Sequence, residues 1–302
     1  MKVINETVLL NNIKRLQKTN PLMLVVKDDA YGFGMNRLVL LGEKLNITSY
    51  GVRNLEEAVR LRSLAKKADI LIFGKVKQDP FLLRSCDLIM TVNDYDDYLF
   101  AKKYKIRAHL AIDVGMNRFG MKTGYLALIN DPLIEAIYTH LYQEEKKEEK
   151  IAFMEDLARR YRKKLHIGGS MAYGKTEAML RVGRLLYENA LAFYGELVGI
   201  KMLFKGETVG YDASYQAEEQ QYIGICNIGY ADGLFLYFNG RVKIEGEDYK
   251  VVGKCCMDQC FILLKHPLPL GTSVEFFGEE ISEDEFCRAN HMTKYELFLQ
   301  IK

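Results

Sequence analysis

The sequence has 302 residues, a net charge of +2 and a charged fraction of 27%. This length is enough to bury a large core and predicts two domains. The near-neutral balance excludes the strongly basic surface of a nucleic-acid or membrane-surface binder and favours a small-molecule partner.

No segment of the sequence predicts a membrane span or a secretion signal. Apolar runs stay below the roughly 20 residues that a membrane helix needs, and Asn5 and Glu6 interrupt the apolar start of the chain. The six cysteines lack both the paired spacing of metal ligands and the density of a secreted disulfide scaffold. We therefore expect a cytoplasmic protein with reduced, mostly buried thiols and no metal site.

The first two thirds of the chain alternate between helical and strand patterns. Apolar residues at helical spacing predict a first helix over residues 7–18 and another whose apolar face includes Leu55, Ala58 and Leu61. Eight short apolar segments predict strands, at residues 23–26, 49–52, 69–73, 87–92, 106–112, 136–139, 165–168 and 179–182. Strands that alternate with helices favour a parallel sheet, and eight such units predict a compact, TIM-like α/β barrel.

The pattern changes after about residue 191. Short apolar segments are now separated by glycine-bearing turns, with no long helix between them, at residues 221–225, 241–244, 250–253, 261–264 and 273–277. We therefore predict a β/α barrel at residues 1–193 and a C-terminal all-β domain at residues 194–302. The charged run EEKKEEK, at residues 144–150, predicts the solvated start of a barrel helix.

A lysine stands at the end of the first predicted barrel strand. Lys27 follows four apolar residues and precedes a turn that contains Gly32 and Gly34. Burial at a strand mouth disfavours the ammonium form and makes a nucleophilic amine available, although a lysine here can also extend past the strand into solvent. The segment VVKDDAYG resembles the lysine segment of the alanine racemase family. The resemblance implies that Lys27 holds pyridoxal 5'-phosphate (PLP) and that Tyr31 binds its phosphate.

Further barrel segments resemble the same family, and they follow strand ends, where a barrel forms its active face. DVGMNRFG is similar to the signature whose arginine meets the substrate carboxylate, which implies that role for Arg118. His140 matches the histidine of the family's Thr-His pair, and LRVGRLLY resembles the segment whose arginine, here Arg181, faces the pyridine nitrogen. The resemblance implies that three more residues bind the cofactor: Ser170, Gly183 and Arg184.

Three segments of the predicted β domain resemble the family most closely. TVGYDASY is similar to the segment that carries the second catalytic base, here Tyr211. IGYADG carries an active-site tyrosine, Tyr230, and CCMDQC carries Met257, whose family counterpart contacts the substrate carboxylate. Each tyrosine taken alone is typical of a packed or interfacial aromatic. Their order across two domains is what matches the family.

The resemblance implies a PLP-dependent racemase of a small amino acid, with L-alanine as the expected substrate, acting as a head-to-tail homodimer. Lys27 and Tyr211 are the expected bases of a two-base mechanism, and His140 is expected to connect Tyr211 with Arg181. Two alternatives stay open. One is a racemase for another amino acid, and the other is a relative that binds PLP without turnover.

Three departures from the family pattern bear on these expectations. Ala111 stands where many members carry a carbamylated lysine that positions the arginine, so another anion or a rearranged network is expected near Arg118. Val182 replaces a proline. The sequence also lacks the family's terminal Arg-Val-Pro-Arg-x-Tyr segment, whose tyrosine binds the cofactor phosphate, so Tyr31, Ser170 and backbone amides would hold that group alone.

Overall fold

The computed structural model of this chain describes residues 1–76 and 79–302. The described residues form two compact units, Leu10–Leu186 and a second unit made of Met1–Leu9 with Tyr187–Lys302. No helix among them is both long and apolar enough to cross a membrane. Strands are numbered here in chain order, beginning with β1 (Lys2–Ile4).

Eight parallel strands of the first unit close into a barrel. Each pairs with the next along the chain, and the last pairs with the first. Their bounds are β2 (Leu22–Val25), β3 (Ser49–Val52), β4 (Asp69–Ile72), β5 (Ile89–Val92), β6 (Ala108–Ala111), β7 (Ile134–His140), β8 (Lys164–Gly168) and β9 (Met179–Val182). The eight predicted strands and the barrel are therefore confirmed.

Helices and short helical turns connect these strands. Asn54 and Asp94 each follow a strand closely and accept a backbone N–H three residues on, which caps the helix that begins there. The helices are Glu6–Gln17, Met35–Lys44, Leu55–Leu64, Pro80–Ser85, Tyr95–Tyr104, Lys147–Tyr161 and Arg184–Tyr187, with 3-10 turns at Tyr125–Ala127 and Ser170–Ala172. The predicted first helix and the helix start within the charged run are confirmed.

The barrel interior is packed with side chains. A buried cluster contains residues from five strands, Met23, Leu71, Ile89, Ala111 and Tyr138, and the partly buried Phe73 and Met179 pack against it. Such an interior is a core rather than a pore. Chemistry in this unit therefore belongs to the ends of the strands.

The second unit is built on an antiparallel sheet. Its strand order is β1-β10-β13-β16-β15-β14-β17, and β10 also pairs with β17. The bounds are β10 (Leu191–Leu203), β13 (Gln221–Cys226), β14 (Arg241–Ile244), β15 (Glu247–Val252), β16 (Cys260–Leu264) and β17 (Ser273–Phe277), and a separate hairpin joins β11 (Thr208–Val209) to β12 (Tyr215–Gln216). The predicted β domain is confirmed, and its sheet is followed by two short helices, Glu283–Ala289 and Lys294–Gln300, that the strand pattern does not predict.

The first residues of the chain belong to the second unit. Strand β1 pairs with Leu191–Phe193 at the start of β10. The predicted domain boundary after residue 193 stays a prediction. A cluster of phenylalanines lies in the core of this unit, where Phe193 packs against Phe276 and Phe277, and Phe286 packs against Phe277. All six cysteines are free thiols, and four of them are buried.

Candidate active site

Lys27 begins a turn of left-handed backbone directly after β2. The four residues that follow it, Asp28 to Tyr31, have φ values between 49° and 57°. This conformation costs roughly 1–2 kcal/mol for each residue that carries a Cβ, and such strain is typical of functional sites. The turn is nevertheless regular, because the Ala30 N–H donates to the Val26 carbonyl at 2.9 Å and the Gly32 N–H donates to the Asp28 carbonyl at 3.1 Å.

Neighbouring loops hold this turn in place. The Asp28 N–H donates to Glu57 Oε1 at 2.7 Å, and the Asp28 carboxylate pairs with Arg53 at 2.7 Å. The Asp29 carboxylate accepts the Met35 N–H at 3.0 Å. As a result, the partly buried Lys27 amine lies 5.7 Å from the centre of the Tyr31 ring.

Tyr31, Gly183, Arg184 and Ser170 converge after strands β2, β8 and β9. A Cβ at Gly183 would lie 2.8 Å from the Tyr31 hydroxyl oxygen, so the glycine leaves room for that hydroxyl. Arg184 Nη2 donates to Ser170 Oγ at 3.0 Å. A guanidinium, two hydroxyls and the backbone near a glycine are donors of the kind that bind phosphate.

Arg181 is buried on β9, and among the residues that the structure describes it has no acidic partner. Its Nη1 donates to His166 Nδ1 and its Nη2 donates to the Thr139 carbonyl, both at 2.9 Å. The guanidinium carbon lies 4.3 Å from the centre of the Tyr138 ring and 5.5 Å from that of Phe73. Burial lowers the pKa of Arg181 to about 10, so the group stays cationic at neutral pH.

His140 and Arg181 lie close together at the ends of their strands, because Gly168 between them has no side chain. A Cβ at Gly168 would lie 2.4 Å from Arg181 Nη2 and 2.7 Å from His140 Nδ1. Burial, followed by the positive charges of Arg181, Arg118 and Lys27, lowers the pKa of His140 to about 4. The imidazole is therefore neutral at physiological pH and can accept or donate a hydrogen bond.

Two further buried histidines extend this network, and the sequence analysis missed them. His166 Nδ1 accepts from Arg181, so its Nε2–H donates to His109 Nδ1 at 2.9 Å. Burial lowers the pKa of His109 to about 4 and that of His166 well below its ordinary value, so both rings are neutral. A histidine within an otherwise apolar strand, as in Ala108–Ala111, is the signal that could have identified them.

Arg118 lies exposed on the loop after β6. Asp113 shapes this loop by accepting the N–H groups of Gly115 and Asn117 at 2.9 Å and 3.0 Å. Ala111, which we expect at the position of the family's carbamylated lysine, belongs to the apolar core cluster. Arg118 is near enough to His140 and Arg181 for its charge to lower the pKa of both groups.

The other three predicted site residues lie in the second unit and are exposed. Tyr230 and Met257 belong to neighbouring segments, since the Tyr230 N–H donates to the Cys256 carbonyl at 3.0 Å and the Ala231 N–H donates to the Met257 carbonyl at 2.8 Å. Tyr211 begins the 3-10 turn between β11 and β12. The exposed fractions of Tyr211, Met257 and Tyr230 are 63%, 58% and 43%.

Known protein families account for almost the whole chain. The family model described as the alanine racemase N-terminal domain matches residues 4–190, and the one described as the C-terminal domain matches residues 190–302. The chain belongs to the alanine racemase family. Within this family, the alanine racemase of Geobacillus stearothermophilus is 30% identical over an alignment 343 positions long, which covers 95% of this chain and 87% of that protein.

Solved structures of alanine racemases share the fold. The crystal structure of alanine racemase from E. faecalis superimposes with a TM-score of 0.89 at 25% identity, over 100% of this chain and 95% of that one. The alanine racemase from Bartonella henselae, solved with covalently bound pyridoxal phosphate, gives a TM-score of 0.90 at 20% identity, over 100% and 96%. The barrel and the antiparallel unit described above are thus the alanine racemase fold.

Proposed function

We propose that the chain is an alanine racemase that uses PLP to interconvert L-alanine and D-alanine through two bases. One observation carries this proposal. In a chain that matches the alanine racemase family from residue 4 to residue 302, Lys27, Tyr31, His140 and Arg181 converge at the carboxyl ends of the barrel strands.

The residues present fit the cofactor. The space left by Gly183 beside the Tyr31 hydroxyl, with Ser170 and Arg184 next to it, offers convergent donors for a phosphate. Lys27 would hold the aldehyde carbon and Arg181 would face the pyridine nitrogen. When bound, PLP supplies an electron-withdrawing ring that eases removal of the substrate α-proton.

Arg181 sets how strongly that ring can withdraw electrons. Two of its five N–H groups are bonded to His166 and the Thr139 carbonyl, and it remains cationic at neutral pH. A guanidinium does not give up its proton to a ring nitrogen, so Arg181 would leave that nitrogen unprotonated and the cofactor a weaker electron sink. Weaker withdrawal favours rapid return of the proton to the α-carbon, which is racemisation, over competing reactions.

Racemisation needs a proton donor and acceptor on each face of the α-carbon. We assign Lys27 Nζ to one face and Tyr211 Oη to the other, so that one takes the proton and the other returns it. Arg118 and Met257 would bind the substrate carboxylate, and Tyr230 would line the pocket. His140 would connect Tyr211 with Arg181, a role that suits the neutral imidazole that its lowered pKa maintains.

The proposal includes a head-to-tail homodimer. Each active site would take Lys27, Arg118, His140 and Arg181 from one subunit and Tyr211 and Met257 from its partner. The exposure of Tyr230 and Met257 on neighbouring segments supports this arrangement, because adjacent exposed aromatic and apolar groups mark interaction surfaces. A cytoplasmic location is also part of the proposal.

Two alternatives remain to be tested against alanine racemisation. Ala111 lies in the apolar core cluster, so the surroundings of the site differ from those in family members that carry the lysine. Another amino acid is therefore one alternative substrate. The other alternative is a PLP-binding protein without turnover. The retention of both Lys27 and Tyr211 argues against it, because a carrier needs only the lysine.

The test combines two measurements on the purified protein. The first is the visible absorbance that appears when PLP is held by a lysine amine, and the second is exchange of the L-alanine α-proton in deuterated water, followed by D-alanine formation. We expect Lys27→Ala to abolish both signals and Tyr211→Phe to keep the absorbance while losing D-alanine formation. The matched control is Lys103→Ala, which changes an exposed barrel lysine and should leave both signals unchanged.

Three results would contradict the proposal in different ways. A stable absorbance without exchange of any amino acid would leave the non-catalytic alternative. Exchange of another amino acid but not alanine would identify a different substrate. Absorbance that persists in Lys27→Ala would remove the lysine from its assigned role.

A further inference from the structure

Tyr211 stands on a short, exposed turn with strained backbone. The turn joins β11 to β12, which pair through Val209 and Tyr215. Asp212 and Ala213 have φ values of 57° and 50°, in the left-handed region that residues with a Cβ rarely adopt. Residues 211–214 are all exposed, so burial does not fix the direction of the Tyr211 phenol.

One residue anchors this turn through two contacts. The Lys254 Nζ pairs with the Asp212 carboxylate at 2.5 Å, and the Lys254 backbone N–H donates to Ser214 Oγ at 2.9 Å. Ser214 Oγ fits against Gly210 and Gly253, where added Cβ atoms would lie 3.0 Å and 3.1 Å from it. Lys254 thus holds the turn at both its second and its fourth residue.

Lys254 is itself held in place and is close in sequence to Met257. Its side chain is only 20% exposed, and its amine lies 5.4 Å from the centre of the Tyr237 ring. A cation above an aromatic face is attracted to it. Because Lys254 leads directly into the CCMDQC segment, the pair with Asp212 ties the Tyr211 turn to the backbone that carries Met257.

The same arrangement follows the other proposed base. Lys27 is followed by Asp28, which has a φ of 52° and pairs with Arg53 at 2.7 Å. Tyr211 is followed by Asp212, which has a φ of 57° and pairs with Lys254 at 2.5 Å. In both places a left-handed aspartate, fixed by a cation, comes immediately after the residue that must present a proton-transfer atom.

We propose that Asp212 and Lys254 are positioning residues that hold the Tyr211 turn and so aim its phenol for proton transfer. The inference rests on the proposed function, in which Tyr211 is one of two bases. It assigns roles to two residues that the family resemblance left without one. The pair acts through Tyr211, so its loss should weaken proton transfer by Tyr211 and spare proton transfer by Lys27.

The chain offers a matched control for this ion pair. Lys265 pairs with Glu247 at 2.7 Å, and its amine lies 5.2 Å from the centre of the Tyr249 ring. It reproduces the chemistry of Lys254 in the same unit, at a place where no proposed site residue stands. The experiment therefore compares Lys254→Met with Lys265→Met. Asp212→Asn is a second test variant, since asparagine tolerates left-handed backbone and lacks the charge.

Two readouts are measured on the PLP-loaded protein. The first is the set of backbone 15N order parameters of residues 211–214, which we expect to fall from about 0.85 to below about 0.6 in Lys254→Met. The second is kcat/KM with L- and D-alanine, each with and without deuterium at the α-carbon. A misplaced base should lower kcat/KM about tenfold to a hundredfold. The loss should be equal in both directions, because the two enantiomers are equally stable.

The deuterium isotope effect separates positioning from a general structural role. Slower proton transfer by Tyr211 should raise the isotope effect in the direction in which Tyr211 takes the proton, and lower it in the opposite direction. Lys265→Met should match the wild type in both readouts. Asp212→Asn should give the same isotope effects as Lys254→Met. It tests the ion pair independently if Lys254→Met does not fold.

The possible outcomes are distinct. Unchanged order parameters and isotope effects in both test variants would overturn the positioning role. A loss of kcat/KM with isotope effects that do not diverge would also overturn it, since a structural defect slows both proton transfers alike. A wild type without α-proton exchange would overturn the proposed function itself. Even then, order parameters that fall in Lys254→Met and not in the control Lys265→Met would support the anchoring of the turn by Lys254.

Discussion

The barrel and the antiparallel unit hold their site residues by different physical means. In the barrel, Arg181 is 8% exposed and donates to a neighbouring imidazole and to a backbone carbonyl. In the antiparallel unit, Tyr211 is 63% exposed and stands on a turn anchored by a surface ion pair. The barrel residues are fixed by burial and buried hydrogen bonds, whereas Tyr211 is fixed by the backbone conformation of its turn and a few polar contacts.

This difference shows how the proposed work is divided. Two of the Arg181 N–H groups are already held by buried acceptors, so the barrel side is largely preorganised for a ligand. Exposed residues on a turn need a further surface to restrict them. We therefore expect substitutions on the barrel side to change stability, and substitutions on the Tyr211 turn to change mainly proton transfer.

The largest expected effect comes from removing the centre of the buried network. Arg181→Ala takes a donor away from His166 Nδ1 and from the Thr139 carbonyl, both buried, and removes the cation that lies over the Tyr138 and Phe73 rings. We expect it to lower the free energy of unfolding by about 3 kcal/mol, the upper end of the cost of leaving a buried acceptor unpaired. Urea unfolding followed by circular dichroism measures this loss.

The control for this prediction is Arg159→Ala. Arg159 is exposed on the helix Lys147–Tyr161 and lies 3.9 Å from Asp156. Surface ion pairs of this kind contribute about 1 kcal/mol or less. Equal losses in the two variants would mean that the buried network around Arg181 carries no special stability.

The barrel half of the site was largely predictable from sequence. Each of the eight strands is a short apolar run, and Lys27, His140 and Arg181 follow from motifs at strand ends. A strand pattern and a strand-end motif are local, and local signals survive in the sequence. Their expected roles came from the family resemblance and not from the pattern itself.

The parts that sequence reasoning missed depend on contacts between distant residues or on tertiary context. His109 and His166 meet only because β6 and β8 lie in one closed barrel, which no local pattern reports. The left-handed backbone at Ala30 and Tyr31 opposes the preference of both residue types and is held by surrounding loops. The pairing of β1 with β10 joins residues almost 190 positions apart.

The next effect in size is a pH dependence of the free energy of unfolding, which we expect from a buried histidine of the barrel and not from an exposed histidine of the antiparallel unit. Burial holds the folded-state pKa of His109 at about 4, below its ordinary value of 6.5, so the unfolded chain takes up the proton first. The resulting stability is complete above pH 6.5 and is lost as the pH falls toward 4. One such histidine contributes a slope of about 1.4 kcal/mol per pH unit in that window.

His109→Gln should therefore make the fall in stability between pH 6.5 and 4 shallower by that slope, while His140 and His166 still contribute to it, as measured by urea unfolding at several pH values. His266→Gln is the control, because His266 is exposed in the antiparallel unit. The control should keep the wild-type slope. A slope that is unchanged in His109→Gln would show that protonation of this buried histidine does not limit the acid stability of the barrel.

The smallest effect compares one added methyl group in each unit. Gly168→Ala would place a Cβ 2.4 Å from Arg181 Nη2 and 2.7 Å from His140 Nδ1, both in a network that has no room to move. We expect a loss of about 2 kcal/mol in the free energy of unfolding, within the range for overpacking. Gly199→Ala, in β10, would meet the flexible side chain of Ile225 at 3.2 Å, which a small shift relieves, and its loss should be well under half as large. Because both changes add the same atom to a strand, the difference between them measures how much more rigid the barrel end is than the antiparallel sheet. Similar losses would remove that distinction and, with it, the reason to assign preorganisation to the barrel alone.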